Sequence, residues 1–204
     1  MELYEELKGW QGAIGSLLGF VALMLAALWN FHLNRKRDAA MLRDEANSVA
    51  AALYGEIVLL RKEAANLADR VTTMAVNYGT NGGSIYKIND HFLEAHKLSE
   101  PLFYKALAPK IGLLSADLVI AITEFHGNFQ AIRSSLPLLV EKSDRGYAHS
   151  EANVLVPARN AVKDVIPALR KIERLVSIAS PADDLDLSKI EAFIDFEQSR
   201  FAGD

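Results

Sequence analysis

The sequence feature that most constrains this chain is a long stretch without charge near its N-terminus. No Asp, Glu, Lys or Arg occurs from Gly9 through Asn34, and apolar residues dominate the segment. A helix needs about 20 apolar residues to cross the roughly 30 Å hydrocarbon core of a bilayer. Trp10 and Trp29 would lie about 28 Å apart along such a helix, which suits an aromatic belt at each interface. The stretch therefore predicts a transmembrane helix over residues 10–33.

Two other interpretations of the apolar stretch fit less well. A buried core helix is rarely uncharged over such a length, and here the basic cluster Arg35, Lys36 and Arg37 follows it directly. A cleaved signal peptide carries its cations before the apolar run, whereas Lys8 is outnumbered there by Glu residues. We therefore expect a single membrane pass.

The distribution of Lys and Arg around the stretch predicts its orientation. The topology-setting cluster of Arg35, Lys36 and Arg37 lies on the C-terminal side, and Lys8 is the lone cationic side chain before it. By the positive-inside rule, the N-terminus is outside and the rest of the chain is cytoplasmic. We expect a short extracytoplasmic tail over residues 1–9, a cytoplasmic helical bundle over 34–198 and a C-terminal tail over 199–204.

One face of the predicted transmembrane helix carries only small side chains. Their steps of three and four residues place them together, and they are Gly12, Gly15, Gly19, Ala22 and Ala26. Small residues let two helix backbones approach closely in lipid, so this face is a candidate for self-association or for docking a membrane-protein partner. The alternative is that the pattern reflects the ordinary abundance of Gly and Ala in membrane helices.

Composition limits the classes of function. The chain has 204 residues, a net charge of −4 and no Cys. Beyond the cluster at 35–37 its cations are scattered, so no basic surface suggests nucleic acid. The lack of Cys excludes disulfides, thiolate metal sites and a Cys nucleophile.

The strongest periodic signal follows the membrane segment. Apolar residues recur at steps of three and four from Ala46 to Tyr78, with Arg61 and other charged residues off this stripe. The stripe consists of Ala46, Ala50, Leu53, Ile57, Leu60, Ala64, Leu67, Val71, Met74 and Tyr78. It fits either the seam of a parallel homodimeric coiled coil or the core face of an intramolecular bundle, and its width favours the bundle. We expect this helix to end at Gly79, because GTNGGS supplies a capping glycine and a turn.

Shorter helices are predicted after the turn. Asn89 or Asp90 begins the first, Ser99 caps the second, and Ser115 caps a longer helix that Pro137 bends. The longer helix has a predicted buried face of Leu118, Ile122, Phe125, Phe129, Ile132 and Leu136.

Two further helices complete the predicted body. We expect one from about Glu151 to Ser180, with possible kinks at its prolines, and a final short one that packs Leu187, Ile190, Phe193, Ile194 and Phe196 against the body. The fold class is therefore all-α: a transmembrane helix that continues into a long cytoplasmic helix of an up-and-down helical bundle.

The segment Pro101–Ile132 resembles a pattern of uncharacterised bacterial single-pass inner-membrane proteins with a helical cytoplasmic domain. The residues that carry this resemblance are Ile111, Gly112, Leu113, Leu114, Ser115, Phe125 and His126. The resemblance implies a location in the bacterial inner (plasma) membrane and no particular activity.

The sequence offers no catalytic, cofactor-binding or metal-binding constellation. His91 and His96 are five residues apart and diverge around a helix, so they do not form the ligand pair of H-E-x-x-H. We interpret His126 as a satisfied buried histidine. We expect a non-catalytic, membrane-anchored scaffold or adaptor that docks a cytoplasmic protein partner or assembles a membrane complex, without a cofactor. The alternative is a membrane-bound sensor or transducer whose bundle binds a small ligand.

Overall fold

The computed structural model describes residues 2–81, 88–140, 149–179 and 181–201. Within these ranges every regular element is a helix and no strand occurs, which confirms the predicted all-α class. The chain divides into two compact units, residues 1–45 and residues 46–204. We refer to the second unit as the body.

The first helix, α1, spans Glu2–Asn81 and contributes residues to both units. The prediction that it would end at Gly79 is wrong by two residues. A glycine inside a helix costs only about 1 kcal/mol relative to alanine, so Gly79 does not by itself stop the helix. The rest of the predicted turn, residues 82–84, lies outside the described residues.

The apolar stripe of α1 forms one wall of the body's core. From Ala50 to Val71 each member of the stripe is buried, and Leu53, Ile57, Ala64 and Val71 are fully so. Met74 is half-buried and Tyr78 is exposed, so the buried part of the stripe ends at Val71, before the C-terminal end of α1. Because one chain already covers these side chains, a dimer seam along the same stripe would require this core to open.

Arg61 is the exception on α1, because we expected it on the solvated face and it is 3% exposed. Its Nε donates to the carbonyl of Val162 at 2.7 Å, and its Nη1 donates to the carbonyl of Asp183 at 2.7 Å. These backbone acceptors come from residues more than one hundred positions away. The two carbonyls compensate part of the cost of burying this charge, while Nη2 of Arg61 has no hydrogen-bond partner among the described residues.

The other helices of the body are short. They are α2 (Asp90–Ala95), α3 (Leu102–Leu107), a 3₁₀ segment (Ala108–Leu113), α4 (Ala116–Ser135), a 3₁₀ segment (Leu136–Leu139), α5 (Ala152–Lys163), α6 (Ile166–Val176) and α7 (Ser188–Phe201). Helix α4 packs on α5 and α6, and α5 packs on α7. The six residues predicted for the inner face of α4 and its 3₁₀ extension are all buried, as expected from their spacing.

Two predicted caps have different outcomes. Asn89 caps α2 as expected, because its Oδ1 accepts the amide of Phe92 at 2.9 Å. Ser115 occupies the predicted position before α4, but its hydroxyl makes no capping hydrogen bond. That oxygen instead accepts from the ammonium of Lys171 at 2.9 Å, so a tertiary contact replaces the local one.

The single helix predicted from Glu151 to Ser180 is wrong, because the structure has two helices there. Helix α5 ends at Lys163 and α6 begins at Ile166, with a turn between them. Pro167 has no amide hydrogen to donate to the carbonyl of Lys163, which explains the break at this point. Helix α6 ends where Ser177 adopts a left-handed conformation with φ of 54°.

Helix α7 packs on the body through Ile190 and Ile194, and Leu187, which directly precedes the helix, is also buried, as predicted. Phe193 is half-buried against the same core. Phe196 is 57% exposed, so its predicted burial is wrong. It lies instead at the edge of a cavity described below.

Candidate functional site

The first candidate site is the exposed apolar surface of the N-terminal unit. Its large apolar side chains are exposed over more than four helical turns, with Leu23 72% exposed and Leu25 62% exposed. Among the described residues, α1 is the one helix that is long and apolar enough to cross a membrane, and its most apolar part is not buried. The exposed large apolar side chains of the unit include Trp10, Leu17, Leu18, Phe20, Val21, Leu23, Met24, Leu25, Leu28, Trp29, Phe31 and Leu33.

The residues singled out by sequence lie on this same unit. The small-residue face of Gly12, Gly15, Gly19, Ala22 and Ala26 is exposed. A methyl group added at any of its three glycines would meet open space. The basic cluster at 35–37 is also exposed, and the Arg35 guanidinium lies 4.5 Å from the centroid of the Phe31 ring. That contact joins the first cation after the apolar stretch to its last aromatic residue.

The second candidate site is a buried polar cluster in the body around His126. Its ring stacks on Tyr104 with centroids 3.8 Å apart, and it is 6% exposed. Neither ring nitrogen has a hydrogen-bond partner among the described residues, so the expectation of a satisfied histidine is wrong. Burial lowers the pKa of His126 from 6.5 to about 4, which keeps the imidazole neutral at pH 7.

The carboxylate of Glu56 lies near His126, but it makes its hydrogen bonds to other groups. Its two carboxylate oxygens accept the backbone amides of Phe103 at 2.7 Å and Tyr104 at 2.9 Å. Its Oε2 lies 4.0 Å from Nε2 of His126, beyond hydrogen-bonding distance. Glu56 of α1 therefore satisfies the first amides of α3 from a distant part of the chain.

The prediction that Ser99 caps α3 is wrong. Helix α3 begins at Leu102, and the hydroxyl of Ser99 donates to Glu63 Oε1 at 2.7 Å. The amide of Ser99 donates to the other oxygen of Glu63 at 2.9 Å. Two glutamates of α1, one heptad apart, thus hold the segment that leads into α3.

A third polar cluster joins α1 to α6 and to the loop before α7. The hydroxyl of Tyr54 donates to Glu173 Oε1 at 2.9 Å, and the amide of Ala182 donates to the same oxygen at 2.9 Å. Arg170 donates to both oxygens of Glu173 at 3.1 Å. Burial would raise the pKa of Glu173, but these hydrogen bonds lower it below its ordinary value. The cluster fixes the loop and offers no free reacting group.

The remaining candidate is a cavity of about 860 Å³ between the C-terminal part of α1 and α7. Its volume is within the range of small-molecule sites, about 300–1,000 Å³. The walls are mostly apolar and come from Ala75, Val76, Tyr78, Ala192, Phe193 and Phe196. Its polar lining consists of Thr72, Glu151, Lys189 and Glu197.

The polar lining of the cavity is not fully used by the protein. Thr72 is completely buried, and its hydroxyl has no hydrogen-bond partner within the described ranges. Burial raises the pKa of Glu151, and the nearby charge of Glu197 adds to this effect. The Lys189 ammonium is held by Asp69 Oδ1 at 3.0 Å and Thr73 Oγ1 at 2.6 Å.

The histidines considered from sequence form no metal site in the part of the chain that the structure describes. His91 is exposed, while His96 places Nδ1 3.0 Å from the carbonyl of Phe92 on its own helix. The cavity was not predicted from the sequence, because its lining residues come from three distant segments of the chain. The sequence signal that could have indicated the cavity is the continuation of the apolar stripe of α1 to Tyr78, which lines it.

Comparisons with protein-family models, with curated proteins and with solved structures found no match to this chain.

Proposed function

We propose that the protein is a non-catalytic, membrane-anchored adaptor whose helical body docks a partner. The apolar part of α1, residues 10–33, would cross the bilayer once. The body would stand on the side of the basic cluster at 35–37, in the cytoplasm of a bacterium, with the N-terminus outside. The bacterial inner membrane follows from the sequence resemblance, and the orientation follows from the positive-inside rule.

The observation that carries the proposal is the contrast in exposure between the two units. In the body, Leu53 and Ile57 are 0% exposed, while Leu23 of the N-terminal unit is 72% exposed. Removing a Leu or Phe side chain from water contributes about 1.5–3 kcal/mol, so a whole face of such residues strongly favours an apolar surrounding. A bilayer provides that surrounding for a single helix of this length.

A membrane-insertion experiment tests the anchor. The double variant Val21→Arg/Leu25→Arg places two charges near the middle of the apolar stretch, each costing about 2.5–3.5 kcal/mol for insertion. Leu59→Arg/Leu102→Arg is the matched control, because it adds the same charges at exposed apolar positions of the body. We expect alkaline carbonate to release the first variant and leave the control in the membrane. Equal retention of both variants would contradict the anchor.

The adaptor role is supported by apolar side chains that remain exposed on the body. Leu102 is 66% exposed and Phe103 is 55% exposed, at the start of the helix that Glu56 holds on α1. Leu59, which is 56% exposed, follows Glu56 by about one turn on the same helix. We name these three residues the docking face, because exposed apolar groups near one another are typical of protein–protein contacts.

Site-specific photocrosslinking tests the docking face. A photoreactive residue at Phe103 should give a discrete product with a cytoplasmic protein, and Leu59→Asp should abolish that product. The same probe at Arg174, an exposed position of α6, is the control. Products of equal yield from both positions would contradict a defined docking face, as would a product that Leu59→Asp does not change.

A second candidate function, a membrane-bound sensor whose body binds a small ligand, is favoured by the cavity between α1 and α7. Its lining joins apolar walls to the side chain of Thr72, whose hydroxyl has no hydrogen-bond partner among the described residues. Such a combination is typical of small-molecule sites.

A further inference from the structure

We propose that the part of α1 that follows the apolar stretch binds the headgroups of anionic phospholipids through one cationic side of the helix. We define this cationic face as His32, Arg35, Lys36 and Arg43. The proposal rests on the membrane anchor of the proposed function, and it specifies which lipid collects beside the end of that anchor.

The spacing of the four residues places them together on α1, which continues without a break through this segment. At 3.6 residues per turn they fall within a sector of about 100°, and all four are exposed. The acidic residues of the same segment, Asp38, Asp44 and Glu45, lie at least about 110° from the middle of that sector. Arg37 lies about 150° from it. The segment therefore has a cationic side and an acidic side.

One cation of the face reaches back toward the apolar stretch. The Arg35 guanidinium lies 4.5 Å from the centroid of the ring of Phe31, the last aromatic residue of the stretch. Side chains of a helix lean toward its N-terminus, which favours the same direction for Lys36.

The position of these residues along the helix matches the depth of lipid phosphates. Arg35 and Lys36 follow Leu33 by about 3–5 Å along the axis, and the headgroup layer on each side of a bilayer is about 5–7 Å thick. Arg43 follows Leu33 by about 15 Å, so it acts through the surface potential of the membrane. Direct phosphate contacts are therefore assigned to Arg35 and Lys36.

The charge of the face is complementary to a headgroup with a net negative charge. Among the described residues no carboxylate forms an ion pair with Arg35, Lys36 or Arg43, not even Asp38, which follows Arg35 by one turn. Arginine binds phosphate through two parallel hydrogen bonds, and lysine binds it as a compact positive charge. A zwitterionic lipid has the same phosphate but also an ammonium group of its own, so the face attracts it less.

Quenching of Trp29 by brominated lipids measures which lipid lies beside the cationic face. Trp29 precedes Lys36 by seven residues, so the two side chains lie about 20° apart around the helix. Trp10→Phe removes the only other Trp of the chain. The full chain with this substitution is placed in liposomes that mix phosphatidylglycerol and phosphatidylcholine with the same acyl chains, and one of the two lipids is brominated in each sample.

We expect phosphatidylglycerol to be favoured over phosphatidylcholine about tenfold beside Trp29. High salt should reduce this preference, because it screens exposed charges.

Two double variants in this background test the face itself. Arg35→Gln/Lys36→Gln should reduce the preference to less than about twofold, because it removes both phosphate contacts, and glutamine is a good helix former. Arg37→Gln/Lys62→Gln is the matched control, because it removes the same charge from exposed positions of α1 outside the face. The control should keep the preference.

The outcomes separate the lipid preference from the anchor. If both lipids quench Trp29 equally, or if the two double variants lose the preference equally, the cationic face is refuted and the anchor stands. A preference that survives in Arg35→Gln/Lys36→Gln also refutes the face. If neither lipid quenches Trp29, this end of the apolar stretch is outside the bilayer, and the anchor is overturned together with the lipid proposal.

Discussion

Acidification should destabilise the body through His126, the buried imidazole stacked on Tyr104. Burial lowers its pKa from 6.5 to about 4, so the unfolded chain binds a proton more readily than the folded protein does. Stability therefore rises with pH wherever the unfolded state holds more protons, and it falls as the pH decreases from about 6.5 to about 4. With 1.36 kcal/mol for each pKa unit, the loss attributable to this residue is about 3 kcal/mol.

The variant His126→Phe isolates this effect, because it keeps an aromatic ring beside Tyr104 and removes the titration. Chemical unfolding of both proteins in neutral detergent, followed by near-ultraviolet circular dichroism, gives the free energy of unfolding at each pH. The difference between the two proteins should change by about 3 kcal/mol between pH 7 and pH 4, with the wild type losing stability. Other titrating groups cancel in the difference.

The opposite pH dependence would result if Glu56 formed an ion pair with protonated His126. Its carboxylate lies 4.0 Å from Nε2 of His126, so a small movement would allow an ion pair with the imidazolium. If the wild type instead gains stability relative to His126→Phe at low pH, that ion pair exceeds the cost of burial and our reasoning is refuted. A difference that is constant from pH 7 to pH 4 would also refute it.

Three further predictions concern contacts of α1. Glu56→Gln should lower the free energy of unfolding by about 2–3 kcal/mol, because the glutamine side chain has one acceptor oxygen for two backbone N–H groups. Glu63→Gln is a more exposed control and should lower it by less than about 1 kcal/mol. Tyr54→Phe should cost about 1–2 kcal/mol in the same unfolding assay, since it removes one hydrogen bond to a carboxylate; a neutral result would contradict that contact. In membranes, Gly15→Cys should form disulfides between chains and Met24→Cys, on the opposite side of the helix, should not; equal yields would argue against the small-residue face.

The sequence predicts the features of this fold that arise from local periodicity. The buried faces of α1 and α4 follow from apolar residues spaced three and four apart, since that spacing places them on one side of a helix. Asn89 was identifiable as a cap because the amide that donates to its side chain, that of Phe92, lies within the same helical turn. The exposed apolar stretch of the N-terminal unit was recognisable because the absence of charge is visible in the sequence itself.

Contacts between distant residues explain the predictions that are wrong. Ser99 has the right residue type for a cap, but Glu56 satisfies the amides of α3 from 47 and 48 positions away. Arg61 lies off the apolar stripe, yet its guanidinium reaches carbonyls of α5 and of the loop before α7. The cavity forms because α7 packs near the C-terminal part of α1, and no local sequence pattern predicts the position of one helix relative to the other. Phe196 has the spacing of a core residue and lies at the cavity edge for the same reason.

The most direct test of the account is the topology of the chain in a sealed membrane. The protein has no Cys, so single substitutions Glu5→Cys and Ser199→Cys give one reactive thiol on each side of the apolar stretch. In intact bacterial cells, a membrane-impermeant maleimide should label Glu5→Cys and should label Ser199→Cys only after the membrane is permeabilised. Labelling of both positions in intact cells, or of neither before permeabilisation, would contradict a single membrane-spanning helix with a cytoplasmic body.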